Sequence, residues 1–382
     1  MGKYDSSINY ITIAKAIGIL LVVCGHVGGI YKCIGIPLYT TNPSEIFPLY
    51  SYHMPLFIFL SGYFYKSEYV DNIKTLINKR MKSLVIPYYK WNLFYGVFVT
   101  LLIVFGIFKN AQAINLYNFF IEPFFGGYQY NLNGPSWFLL SLFLMQVVYT
   151  LMRKFIKDES FKKETLFTVY LFVLTVVIDV WSNSIEMKNN PIPLLISRTI
   201  FGIFFFNLGY YFNTYIKDRF DFSFKTLSII IVVKIFLNEL LGKSYTLSMR
   251  TMILRGENVV PIIWAILGIL YILNISKLLE ELLNKESLLK VKRVFNYVGK
   301  NTFAIMMHHM TISLFLGPTL ALLSKYDEKL MFWNITEPTI KPIICVVGAI
   351  YFDKYVGKYL EKVYSKVKEK LQFNKIREMK SA

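Results

Sequence analysis

Lys15 and His26 share one apolar stretch, eleven positions apart. Eleven steps of about 100° close about three helical turns, so on a helix both side chains face one side, about 16 Å apart along the axis. A cation at one end and an imidazole at the other suit a substrate lying along the helix, with phosphate or pyrophosphate near Lys15 and a proton handled by His26. The competing reading is structural: Lys15 snorkels to the inner headgroups and His26 makes an ordinary buried hydrogen bond. All four histidines, His26, His53, His308 and His309, fall in apolar segments. Polar groups in membrane helices face the bundle interior, so this concentration predicts a shared polar cavity. The four are spread over three segments and lack ligand spacing for a metal, so no metal site is expected. Arg198 and Asp179 lie near the outer ends of neighbouring segments, which makes Arg198 either an ion-pair partner of Asp179 or a substrate contact. Lys234 with Glu239 reads as a similar structural feature. Trp137, after Asn133-Gly134-Pro135-Ser136, is an interfacial anchor or a wall at the way into the cavity.

The elements that must position these residues are membrane helices. The 382-residue chain is 55% hydrophobic and 17% charged, with mean hydropathy +0.44, whereas soluble domains carry roughly 25% charged residues. Ten apolar spans are expected, over 10–31, 48–65, 84–107, 135–152, 165–181, 192–216, 226–242, 259–279, 301–323 and 340–356. The fifth, seventh and tenth are the weakest, because charges interrupt two and the last is short. The first lacks a basic leader and a small-residue cleavage site, so it is expected to stay as a span. The net charge of +18 arises from 42 Lys and Arg against 24 Asp and Glu. Most of the basic residues fall on alternate loops, the signature of cytoplasmic loops rather than of nucleic-acid binding. The expected fold is therefore an all-α membrane protein, a polytopic bundle of about ten transmembrane helices with both termini cytoplasmic, in the inner (plasma) membrane. Residues 1–356 form the membrane domain and 357–382 a basic cytoplasmic tail; after Tyr355, Val356, Leu360, Val363, Val367 and Leu371 recur at helical spacing. That tail is either an amphipathic helix on the bilayer or a solvated basic helix. Cys24, Cys33 and Cys345 are too scattered for a disulfide framework.

Five blocks, in order, resemble acyltransferase family 3, integral membrane enzymes that acylate bacterial surface polysaccharides. They are Lys15 to His26, a basic residue followed after ten positions by His; His53-Met54-Pro55-Leu56-Phe57 with Leu60-Ser61-Gly62; Lys79-Arg80-Met81-Lys82 before Pro87; Gly134-Pro135-Ser136-Trp137-Phe138-Leu139; and Gly299-Lys300-Asn301-Thr302-Phe303-Ala304-Ile305 leading to His309. The chain departs from the family pattern at Lys15, where Arg is usual, and Lys lacks the planar fork that grips phosphate bidentately. The resemblance implies transfer of an acyl group, usually acetyl, from cytoplasmic acyl-CoA to a hydroxyl of an extracytoplasmic or lipid-linked glycan. Acetyl-CoA or another acyl-CoA is then a co-substrate and no cofactor is tightly bound; the glycan, the lipid bilayer and a polysaccharide-synthesis machinery are the partners. On this reading Lys79, Arg80 and Lys82 hold the CoA phosphates at the inner mouth and Lys15 sits deeper. His26 is the general base or carries the acyl group as an acyl-imidazole. His53 positions acceptor or thioester carbonyl, Trp137, His309 and Arg198 contact substrate, and Ser61 is a packing residue. His309, at the family position, is expected to reach the cavity ahead of His308, with a structural hydrogen bond as its other reading. The rival functions are a glycan or lipid-linked-precursor transporter or flippase, against which the lack of internal repeats stands, and a non-enzymatic subunit of a synthesis complex.

Overall fold

The structure is a computed structural model; it describes residues 9–27, 47, 49–107, 112–127, 130, 132–156, 160–184, 190–241, 246–255, 259–324 and 331–381. The part of the first expected span beyond Val27, Cys33, and the side chains of Val367 and Leu371 lie outside them.

The chain is helical nearly throughout. In order come α1 (Tyr10–Val27), α2 (Leu49–Tyr63), α3 (Ile73–Arg80), α4 (Ile86–Val104), the short α5 (Glu122–Phe125), α6 (Trp137–Arg153), α7 (Phe161–Ser184), α8 (Pro191–Tyr211) and α9 (Phe224–Leu241). A two-stranded antiparallel hairpin follows, β1 (Thr246–Ser248) with β2 (Ile253–Arg255), in the register Leu247 opposite Leu254. Then come α10 (Val260–Leu283), α11 (Leu289–Lys300), α12 (Thr302–Ser324) and the long α13 (Met331–Ser381). Among the described residues, four stretches are long and apolar enough to cross a membrane: Gly134–Arg153, Phe161–Ser182, Pro191–Arg219 and Val260–Leu283; Tyr10–His26 and Thr302–Leu316 are shorter apolar helices. This is the composition of an all-α, multi-pass membrane protein.

The helix α1 is the hub, packing against α2, α10, α11, α12 and α13. Asn9 caps its start, the side-chain oxygen accepting from the Thr12 amide at 2.9 Å. Nothing in its sequence interrupts the run to Val27, so Lys15 and His26 ride on one unbroken helix. Beside it, α2 and α8 approach backbone to backbone. A side chain on Gly62 would overlap the Phe206 carbonyl, and one on Gly209 would overlap the Phe59 carbonyl, so only glycine lets the two cross so closely.

Prolines shape the approach to the site. Pro87 lacks the amide that would bond the carbonyl four residues back, and the chain widens into a π turn over Met81–Val85 just before it. The same device, Pro123 after a π turn over Tyr117–Ile121, turns the chain into α5 beside α6. The helix α13 runs through residue 357 without a break, with Val356 and Leu360 packed against the α4 cluster and the Tyr364 hydroxyl donating to the Lys90 carbonyl at 3.1 Å.

Arg153, which reads as a loop cation in the sequence, is buried. Its guanidinium grips Glu164 through two nitrogens at 2.9 and 2.5 Å and lies over the Tyr210 ring at 4.4 Å. Around it Tyr149, Asn207 and Thr168 form a hydrogen-bonded chain that joins α6, α7 and α8.

Candidate functional site

A cavity of about 460 Å³ opens between α1, α2, α6, α12, the π turn after α3 and the hairpin. Its walls carry Lys15, His26, His53, Ser61, Arg80 and Trp137, so residues from four of the five sequence blocks meet in one place, joined there by Thr302, Phe303 and Met306 from the fifth. Lys15 and His26 line the same cavity, as eleven-residue spacing on one helix requires.

At one end, Lys15 is half-buried with its ammonium 4.9 Å from the centre of the Phe64 ring. Arg80 reaches in from the end of α3 with Nε buried and without a hydrogen bond. Among the described residues neither cation forms an ion pair with a carboxylate. Burial pulls the Arg80 pKa below its ordinary value, partly opposed by Tyr69, and an anion bound in the cavity would relieve that cost. Lys79 and Lys82 do not line the cavity. Both are exposed, and Lys79 donates to the Tyr69 hydroxyl at 3.0 Å.

At the other end of α1, the His26 ring faces the cavity and its Nδ1 lies 2.8 Å from His309 Nε2. The ring centres are 5.1 Å apart and the planes 8° from parallel. That separation is an in-line hydrogen bond plus one ring radius on each side, so the rings meet edge to edge in a common plane rather than stacking face to face. His309 is buried behind His26, outside the cavity lining, with its Nδ1 2.7 Å from the Ile305 carbonyl. His53 is buried in the cavity wall one helix away. His308 points elsewhere, to Tyr95 and Asp353.

Trp137 forms a wall of the cavity and Arg198 lies behind it, 5.0 Å from its ring centre. Arg198 is buried outside the lining. Its guanidinium donates to the Phe125 carbonyl at 2.6 Å and the Arg250 carbonyl at 2.7 Å, with longer bonds to the Phe124 carbonyl and the Ser141 hydroxyl. Its partners are thus three main-chain carbonyls and one hydroxyl, and the ion pair with Asp179, one of the two readings of the sequence, does not form. Lys234 donates to Asn238 at 2.7 Å and stands 3.5 Å over the Trp264 ring.

Leu247, Ser248, Met249 and Arg250 close the cavity and had no sequence signal as site residues. Leu247, Met249, Met252 and Leu254 are buried, so the hairpin plugs its apolar side into the bundle while Ser248 and Arg250 remain half-buried. Glu122, at the start of α5, feels the Arg250 charge. Burial pushes its carboxyl above the usual range, while a Tyr117 hydrogen bond and Arg250 draw it back.

The arrangement offers half-buried cations without a carboxylate partner among the described residues at one end and an imidazole pair at the other, with an apolar wall between. This geometry can hold a long anionic substrate and exchange a proton at its far end. Neither a curated protein nor a solved structure matches the chain. The family model described as an acyltransferase domain matches residues 8–352, nearly the whole length, and the chain belongs to acyltransferase family 3 as a membrane acyltransferase.

Proposed function

We propose that this protein is a bacterial inner-membrane O-acyltransferase, using acetyl-CoA to acylate a hydroxyl of an extracytoplasmic or lipid-linked glycan. The observation that carries the reading is the single cavity with Lys15 and Arg80 at one end, free of carboxylate partners among the described residues, and His26 at the other. With both termini cytoplasmic, the cation end faces the cytoplasm. The CoA phosphates sit against Arg80 and Lys15, with Lys79 and Lys82 adding positive potential outside the lining. The pantetheine arm runs along α1 past Ile19 and Val22, bringing the thioester to His26. An extended arm covers the roughly 16 Å between Lys15 and His26.

The acceptor hydroxyl reaches the thioester from the hairpin side, between Ser248, Arg250 and Trp137. His26 takes the hydroxyl proton as the oxygen attacks the thioester carbonyl carbon. The tetrahedral intermediate collapses with cleavage of the C–S bond, the CoA thiolate takes the proton back from His26, and the products are the ester and free CoA. His53 lines the same wall and orients either reactant.

The test is transfer of label from radiolabelled acetyl-CoA into glycan by membranes holding matched amounts of wild type or His26→Ala. The account expects label with wild type and a fall of about a thousandfold with the variant. Label that does not depend on His26 would overturn the assignment of the base. No label from acetyl-CoA or succinyl-CoA with a competent host polymer would move the reading to a transporter.

A further inference from the structure

The two histidines at the catalytic end constrain one another's protons. His309 is completely buried, and its polar contacts include the Ile305 carbonyl, the neighbouring Met306 main chain and the ring of His26. A carbonyl oxygen only accepts, so at 2.7 Å the hydrogen is on His309 Nδ1. Among the described residues no carboxylate touches His309, and an isolated buried charge is costly, so the ring is neutral and carries that one hydrogen. Its Nε2 is therefore a bare lone pair, aimed at His26 Nδ1 from 2.8 Å. Two lone pairs do not face each other at that distance, so His26 Nδ1 is protonated and donates. The coplanar, edge-to-edge rings are the geometry that such a bond requires.

We infer that His309 is a positioning residue: anchored by the Ile305 carbonyl, it fixes His26 in the Nδ1–H tautomer, leaving Nε2 as the lone pair presented to the cavity. A neutral imidazole here fills the place that a carboxylate takes in Ser-His-Asp arrangements. It orients the base and accepts from the imidazolium once His26 has taken a proton, without placing a fixed negative charge beside a site built to attract anions. The catalytic consequence rests on His26 being the base of the proposed function; the tautomer itself does not.

With four histidines in the chain, nitrogen-15 NMR of histidine-labelled protein in lipid nanodiscs reads the tautomers directly, and His26→Gln identifies the His26 signals by their loss. The wild type is expected to show His26 with protonated Nδ1 and unprotonated Nε2. His309→Ala should release His26 to the Nε2–H form that dominates in water. His309→Gln, whose amide oxygen also accepts, should hold it in the Nδ1–H form. In acetyl transfer, His309→Ala should lower kcat about 10- to 100-fold with KM for acetyl-CoA within about twofold, and His309→Gln should recover most of the loss. An Nε2–H tautomer for His26 in the wild type overturns the inference without any variant. So does a His26 signal that His309→Ala leaves unchanged. The expected tautomers in a protein without acyl transfer would instead overturn the functional reading and leave the positioning intact.

Discussion

His308 and His309 are neighbours in the chain and opposites in the fold. One helical step of about 100° sends them to different faces of α12. His308 turns to a carboxylate network: Nδ1 lies 2.7 Å from the Tyr95 hydroxyl, Nε2 lies 3.2 Å from Asp353, and the Trp91 ring packs 4.2 Å away. Thr311 extends this network, donating to the Tyr95 oxygen at 2.9 Å and reaching the Leu132 carbonyl at 3.2 Å. Both nitrogens of His308 are occupied by the protein, away from the cavity. On the other face, His309 spends its two nitrogens on Ile305 and His26, and His26 keeps one nitrogen for the cavity. Saturation marks a latch between α4, α12 and α13, and an unspent nitrogen marks a working group.

The cations repeat the contrast. Arg153 is buried with Glu164 in a bidentate grip, whereas Lys15 and Arg80 line a cavity with no carboxylate partner among the described residues. A buried charge that the fold balances is architecture. A half-buried cation that the fold leaves without a carboxylate is one that a bound anion can match, as the proposed function requires.

Breaking the balanced pair should have the largest effect on the fold. Glu164→Ala leaves the Arg153 guanidinium buried and unpaired and should cost about 3 to 5 kcal/mol, measured as loss of thermal stability in detergent, with activity per folded molecule retained. A stability loss below about 1 kcal/mol would show that the pair is not buried as described. Removing the unbalanced cation should do the reverse. Lys15→Met should leave stability unchanged or raised, since it removes a desolvated charge, while KM for acetyl-CoA rises about tenfold or more. Lys15→Arg should retain binding, because the fork grips phosphate at least as well. Equal KM values for Lys15→Met and wild type would remove Lys15 from the anion site. The latch is expected to give the smallest change. His308→Asn should cost about 1 to 2 kcal/mol of stability through its lost hydrogen bonds and leave kcat within about threefold.

Much of this contrast was legible in the sequence where the relevant geometry is local. Lys15 and His26 face one cavity because helical periodicity carries over a short, uninterrupted stretch. Arg80 was legible as part of a basic block, although its neighbours Lys79 and Lys82 are exposed and outside the cavity lining, since one helical step of about 100° separates Lys79 from Arg80. Long-range pairing was not legible. Arg153 looks like a loop cation until α7 brings Glu164 onto it, and Arg198 finds main-chain carbonyls of α5 and the hairpin instead of Asp179. The hairpin itself has no Asn-Gly or Gly turn to announce it. Met252 takes the left-handed conformation there, with φ 49°, where glycine would be usual, so Ser248 and Arg250 passed as loop residues. The membrane character was legible from composition: among the described residues four helices meet the length and apolarity of a crossing, and two further apolar helices are shorter.

The central claim is that His26, and not the fully buried His308, performs the proton transfer in an acyl-CoA reaction. Acetyl transfer at saturating acetyl-CoA, compared across wild type, His26→Ala and His308→Asn at matched folded protein, tests it most directly. The account predicts a loss of about a thousandfold for His26→Ala and no more than about threefold for His308→Asn. Equal losses in the two variants, or a larger loss at His308, would contradict it.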